Sequence, residues 1–172
     1  LILFISSGND NYQLLAEELT KEINPELVYV MCASLKHTQM SLLAEAVINE
    51  NSSNRPPAAT PILENFELYM FDLIITMGDS DQFRELSPPA MIPYFHWEVP
   101  SLEFVQSKEE ARKTISKARE IIFHNLETLY HSELLKALFD IKHNLKAILD
   151  NLLDGVMAHT KDRIIFFFNK AA

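Results

Sequence analysis

The sequence predicts an α/β protein: a three-layer α/β/α domain around a four-stranded parallel sheet, extended by a long C-terminal helix and a short terminal β-hairpin. Three observations carry this expectation. Apolar runs such as Leu1-Ile2-Leu3-Phe4-Ile5 and Leu73-Ile74-Ile75-Thr76-Met77 show no polar alternation, as strands buried on both faces require. Between these runs lie segments of helical periodicity long enough to cross from one parallel strand to the next. The 172 residues are 48% hydrophobic, enough for one domain with a real core and an appendage.

Taken in order, residues 1–6 form the first strand. Residues 13–23 follow as a helix with Leu14, Leu15 and Leu19 on one face, stopped by Pro25. Between the two, Ser6-Ser7-Gly8-Asn9-Asp10-Asn11-Tyr12 is a Gly/Asn-containing turn at a helix N-terminus, the physical basis of an anion cradle. Residues 27–33 (LVYVMCA) read as a second strand and 37–48 as a helix. Residues 49–60, rich in Asn, Ser and Pro, read as a surface loop. Leu63, Phe66 and Met70 suggest a short helix over 62–70. Residues 73–77 form the third strand, 80–86 a helical turn and 91–97 the fourth strand.

Ser107 with Glu110 is a capping box that opens a helix. No Gly or Pro interrupts it before Gly155. A continuous helix over 107–153 would extend on the order of 70 Å, so a break near His131-Ser132 is expected. From there Leu134, Leu138, Ile141, Leu145, Ile148 and Leu152 recur at steps of 4, 3, 4, 3 and 4, a heptad seam. Leu at the a-type positions and Ile at two of the three d-type positions lean away from a simple two-stranded coil. A homodimer or a dimer-based four-helix bundle is the expected assembly, against the plainer reading of a helix packed on its own domain. Two short strands around Thr160-Lys161-Asp162 close the sequence.

The net charge of −9 excludes a nucleic-acid surface, which needs clustered Lys and Arg. No apolar run approaches the ~20 residues of a membrane span. The single cysteine, Cys32, makes no internal disulfide and suits a reducing, cytoplasmic location. It is read as a small buried hydrophobe in preference to a redox sensor. His37, His124, His131, His143 and His159 show no metal-ligand spacing, so neither metal nor cofactor is expected.

Residues 1–131 resemble the low-molecular-weight tyrosine phosphatase and arsenate reductase family. The resemblance rests on four fragments in order. Ser6-Ser7-Gly8-Asn9-Asp10-Asn11-Tyr12-Gln13 stands where the family has Cys-x-Gly-Asn-x-Cys-Arg-Ser, and Asp72-Leu73-Ile74-Ile75-Thr76-Met77 matches its third strand. Leu86-Ser87-Pro88-Pro89 and His96-Trp97-Glu98-Val99-Pro100 follow, ahead of the long charged helix. The departures fall on the chemistry that the resemblance implies. Ser6 replaces the thiolate nucleophile, Tyr12 the oxyanion-clamping arginine, Asn11 the second cysteine, and Ser101-Leu102 the general-acid Asp and its Pro. Asp10 adds negative charge where an anion would sit. The implied protein is a pseudoenzyme. Ser6 to Tyr12, together with Trp97, remain a possible ligand-binding surface or plain scaffold.

Residues 148–156 and 163–172, with Asp154-Gly155 and Asn169-Lys170-Ala171-Ala172, resemble the opening of a PAS domain cut short. The expected organisation is a sensory domain over 1–131, a coiled-coil-like signalling helix over 132–153 and a truncated PAS start over 154–172. The implied role is a non-catalytic input module of a bacterial signalling protein, with a sigma-54-dependent transcriptional activator favoured. It would respond to an unknown small ligand or protein signal. The alternatives are the input domain of a sensor histidine kinase, or a residual oxyanion-binding, phosphatase-like or reductase-like enzyme.

Overall fold

The computed structural model describes residues 1–7, 12–24, 29–36, 61–150, 157–159 and 165–168. Two compact units divide the chain, Leu1–Thr128 and Leu129–Ala172.

In the first unit, four parallel strands run β1 (Ile2–Ser6), β2 (Val30–Ser34), β3 (Leu73–Gly78) and β4 (Tyr94–Glu98), in the spatial order β2-β1-β3-β4. The register pairs Ile2 with Val30 on one side and with Leu73 on the other, and Ser6 with Ser34 and Met77. Every residue of β1 and β3 is buried, which explains why both read as unbroken apolar runs. The edge strands β2 and β4 mix buried and exposed positions.

Helix α1 (Tyr12–Ile23) packs on β1, β2 and β3, burying Gln13, Ala16, Leu19 and Thr20. Helix α2 (Lys108–Tyr130) buries Ala111, Ala118, Ile122 and Leu126 along one stripe. Its N-terminus is capped as the sequence predicts: the Glu110 N–H donates to Ser107 Oγ at 3.1 Å. The returning carboxylate accepts from the N–H of Gln106 at 3.0 Å. Arg119 of α2 pairs with Glu22 of α1 at 3.0 Å. Leu3, Ile5, Ala33, Phe71, Ile74 and Phe83 form one core cluster, with Leu63, Phe66, Leu68, Leu86 and Ile92 packed against it.

Three expectations are corrected. Residues 62–70 are not one helix but two 3-10 turns, Leu63–Asn65 and Leu68–Met70, separated by extended Phe66 and Glu67. The Ser34 N–H donates to Pro61 O at 2.9 Å and Ile62 bridges Ser34 in parallel, so the chain enters this segment extended. Strand β2 occupies 30–34, displaced toward its C-terminal end, and of the expected strand residues 27 and 28 lie outside the described ones. Strand β4 starts at Tyr94, not at 91, because Ile92 N–H closes a turn on Pro89 O at 2.9 Å. The expected helix over 37–48 and loop over 49–60 lie outside the described residues.

In the second unit, α2 ends at Tyr130 and α3 (Glu133–Asp150) begins after a two-residue break. Ser132 makes that break: its hydroxyl donates to Leu129 O at 2.6 Å and accepts from the N–H of Leu135 at 3.3 Å, an N-cap. Glu133, hydrogen-bonded to Lys136, raises the pKa of that exposed ammonium above its ordinary value. Strands β5 (Met157–His159) and β6 (Ile165–Phe168) form an antiparallel hairpin with an irregularity at Ala158/His159.

Candidate functional site

The strand order reverses between β1 and β3. In an open parallel sheet that reversal opens a crevice at the carboxyl ends of the strands, the usual seat of a ligand. The turn after Ser6 leads from this point into α1. Of the expected loop residues, Gly8, Asn9, Asp10 and Asn11 lie outside the described ones. Ser6, Ser7 and Tyr12 flank them, and all three are buried.

Ser6 ends β1 with 0% exposure. Its hydroxyl donates to Gln13 Oε1, and the Gln13 carboxamide Nε2 lies 3.5 Å from Ser34 Oγ as donor. Ser34 is the register partner of Ser6 on β2. Three buried polar side chains are therefore linked in series, as groups removed from water must find partners. A serine nucleophile needs a neighbouring base to take its proton, and a carboxamide is not one. The loop motif by itself assigns Gln13 no role. Its signal was present: Gln13, Ala16 and Thr20 share the buried stripe of α1 at steps of three and four, so a polar residue there must find a partner inside.

Tyr12 is the first residue of α1 and is 1% exposed. Its hydroxyl donates to Pro100 O at 2.7 Å, tying the start of α1 to the segment after β4. In that segment Val99 and Leu102 point into the core, and Ser101 Oγ accepts from the N–H of Glu103 at 3.1 Å. Ser101 thus closes a local turn, and Leu102 anchors it.

Trp97 is buried, with its indole 6.0 Å from the ring of Phe4 at an angle of 46°. It packs on the sheet beside β1. His96, the next residue along the strand, alternates to the opposite face. There Thr76 Oγ1 lies 2.8 Å from His96 Nδ1 and 2.8 Å from the Tyr94 hydroxyl, and the imidazole packs on Phe83 at 5.5 Å. Its Nε2 lies 3.6 Å from a Glu98 carboxylate oxygen. His96 and Trp97, adjacent in sequence, therefore serve different faces. Cys32 is half-buried and its thiol donates to Gln13 O at 3.2 Å and Glu17 Oε2 at 3.5 Å. Among the described residues no cluster of three His, Cys, Asp or Glu could hold a metal ion. No described helix is long and apolar enough to cross a membrane.

The heptad positions separate along α3. Leu134 and Leu138 are half-buried, whereas Ile141, Leu145 and Ile148 are 66%, 54% and 62% exposed. Leu152 lies outside the described residues.

No family model matches the sequence, and no curated protein matches it. Solved structures match the fold. A protein tyrosine phosphatase superposes with a TM-score of 0.57 at 19% identity, over 77% of this chain and 97% of its own. The tyrosine phosphatase Wzb from Escherichia coli K30, in complex with sulphate, gives 0.55 at 19%, over 74% and 96%. An arsenate reductase from Archaeoglobus fulgidus gives 0.53 at 16%, over 74% and 99%. The chain has the fold of tyrosine phosphatases of the Wzb type and of arsenate reductases. At these identities the likeness defines the fold and nothing finer.

Proposed function

We propose that residues 1–131 are a non-catalytic regulatory input domain on a phosphatase-like frame, a pseudoenzyme of a bacterial cytoplasmic signalling protein. The observation that carries this reading is the buried hydrogen bond from Ser6 to Gln13: the hydroxyl at the nucleophile's place is held by a group that cannot deprotonate it. Tyr12 bound to Pro100 and Ser101 engaged in a local turn with the Glu103 N–H support it, since they stand where the resemblance places clamp and general acid. In this reading a small ligand or protein signal acts on the sensory domain. Residues 132–153 then carry the response to a PAS domain opened by 154–172. A sigma-54-dependent transcriptional activator is the output this organisation favours.

The test is turnover. The purified chain is offered an aryl phosphate and, with thiol reductant, arsenate, beside Ser6→Ala. Neither substrate is turned over above the buffer rate by either protein if the reading is right. Turnover that Ser6→Ala abolishes would overturn it.

A further inference from the structure

We infer that His96 Nε2, Glu98 Oε1 and Gln82 Oε1 form a site for a divalent transition-metal ion of the zinc class, at the carboxyl end of β3 and β4. The inference goes beyond the input-domain reading above and uses none of the residues that carry it.

The first support is position. His96 and Glu98 stand two apart on β4, so their side chains share one face of the sheet. Glu98 is the register partner of Gly78, the last residue of β3. Gly78 has φ of 131°, a backbone conformation that favours glycine, and two residues later the 3-10 turn Ser80–Phe83 begins. A β-carbon added to Gly78 would lie 3.8 Å from Gln82 Oε1 and 3.6 Å from Phe83 Cε2. The Gln82 carboxamide oxygen therefore lies over the end of β3, beside the strand that carries Glu98. Phe83 is buried and packs on the His96 imidazole at 5.5 Å, closing the apolar side of the site.

The second support is unspent bonding capacity. His96 Nε2 and Gln82 Oε1 are both buried atoms with no hydrogen-bond partner, and polar atoms removed from water ordinarily have one. Thr76 Oγ1 lies 2.8 Å from His96 Nδ1, 2.8 Å from the Tyr94 hydroxyl and 3.4 Å from Phe95 O. A carbonyl oxygen only accepts, so all three contacts are made together when Thr76 donates its one proton to Phe95 O and accepts from Tyr94 and from Nδ1–H. Nε2 then offers a lone pair. An imidazole nitrogen, a carboxylate and a carboxamide oxygen share this end of the sheet, and none of the three atoms is a donor. Imidazole in such a set selects zinc-class ions over calcium or magnesium, which take oxygen ligands. The Nδ1–H bond to Thr76 is the outer contact that fixes a ligating imidazole in orientation.

The third support is spacing. Nε2 and Glu98 Oε1 are 3.6 Å apart, too far for a hydrogen bond. An ion about 2.0–2.1 Å from each atom would subtend an angle of about 120° between them, within the range of four- and five-coordinate sites. A water about 2.8 Å from each would be squeezed to an angle of about 80°, poor for two hydrogen bonds. Glu98 is exposed and Nε2 is not, so the carboxylate stands on the solvent side, where an ion would enter.

The experiment titrates the full chain with zinc chloride by calorimetry and with cobalt chloride by visible absorption. One ion per chain is expected to bind at micromolar concentration. Glu98→Gln, a change on an exposed side chain, should weaken binding at least tenfold. Thr76→Val, which removes the hydroxyl that orients the imidazole, should weaken it about tenfold or more, and Thr76→Ser should restore it. Cys32→Ser and His143→Ala should bind as the parent chain does. Nitrogen-15 spectra of the metal-free chain at mildly alkaline pH should place the His96 proton on Nδ1. No binding at submillimolar zinc would overturn the proposal, as would unchanged affinity in Glu98→Gln, loss of binding in Cys32→Ser, or a His96 proton on Nε2. None of these readouts depends on turnover, so failure here is distinct from failure of the pseudoenzyme reading.

Discussion

The turn after β1 and the seam of α3 are opposites. Beside the turn, the described polar side chains are buried and hydrogen-bonded inside the protein: Ser6 to Gln13, Gln13 to Ser34, and Tyr12 to the Pro100 carbonyl. Along α3, where a solvated helix would show charge, Ile141, Leu145 and Ile148 are exposed. Hydrogen-bonding capacity that is spent internally does no chemistry on a ligand. Apolar surface that is not spent internally is available to a partner.

Variants can break the contrast from either side. The largest effect is expected in the core that fixes the turn: Phe4→Ala, under Trp97, should destabilise the first unit by about 3–5 kcal/mol, measured by urea unfolding. Next comes the polar chain. Gln13→Ala strands two buried serine hydroxyls and should cost about 2–3 kcal/mol. Adding Ser6→Ala and Ser34→Ala should recover much of that loss, because no buried donor is then left unpaired. A Gln13→Ala cost that the two serine changes leave untouched would show that the three side chains are not coupled. Smaller still, Tyr12→Phe removes one hydrogen bond, to Pro100, and should cost about 1 kcal/mol. On the other side, Ser132→Ala removes the cap of α3 and should cost the helix about 1 kcal/mol. It should leave the unfolding of the first unit unchanged.

The legible parts of the sequence were those where one physical cause acts alone. Uninterrupted apolar runs located β1 and β3 because both strands are buried on both faces. The capping box of Ser107 and Glu110 located the start of α2, and the length of an uninterrupted helix located a break near His131-Ser132, where the Ser132 hydroxyl caps α3. Legibility failed where tertiary pairing overrode local pattern. Leu63, Phe66 and Met70 have helical spacing, yet pairing of Ser34 with the chain at Pro61 and Ile62 draws the segment out. Two 3-10 turns then place Leu63, Phe66 and Leu68, partly buried, against the core cluster. In the site, the family resemblance points to Ser6, Tyr12 and the pair Ser101-Leu102 as the decisive departures. It gave no sign that Gln13 is the residue to which Ser6 is bound, since the comparison weighs what a family residue did and not what its replacement touches. Trp97, considered for a ligand surface, spends its ring on Phe4.

Both sides of the contrast are read at once by amide hydrogen exchange on the full chain, followed by mass spectrometry at rising protein concentration and with added phosphate or arsenate. Peptides from residues 138–150 should gain protection as concentration rises. Peptides from residues 2–23 should exchange at the same rate at every concentration, with or without the oxyanion. Protection of the β1–α1 peptides by phosphate or arsenate, with α3 exchanging identically from the lowest concentration to the highest, would contradict the account.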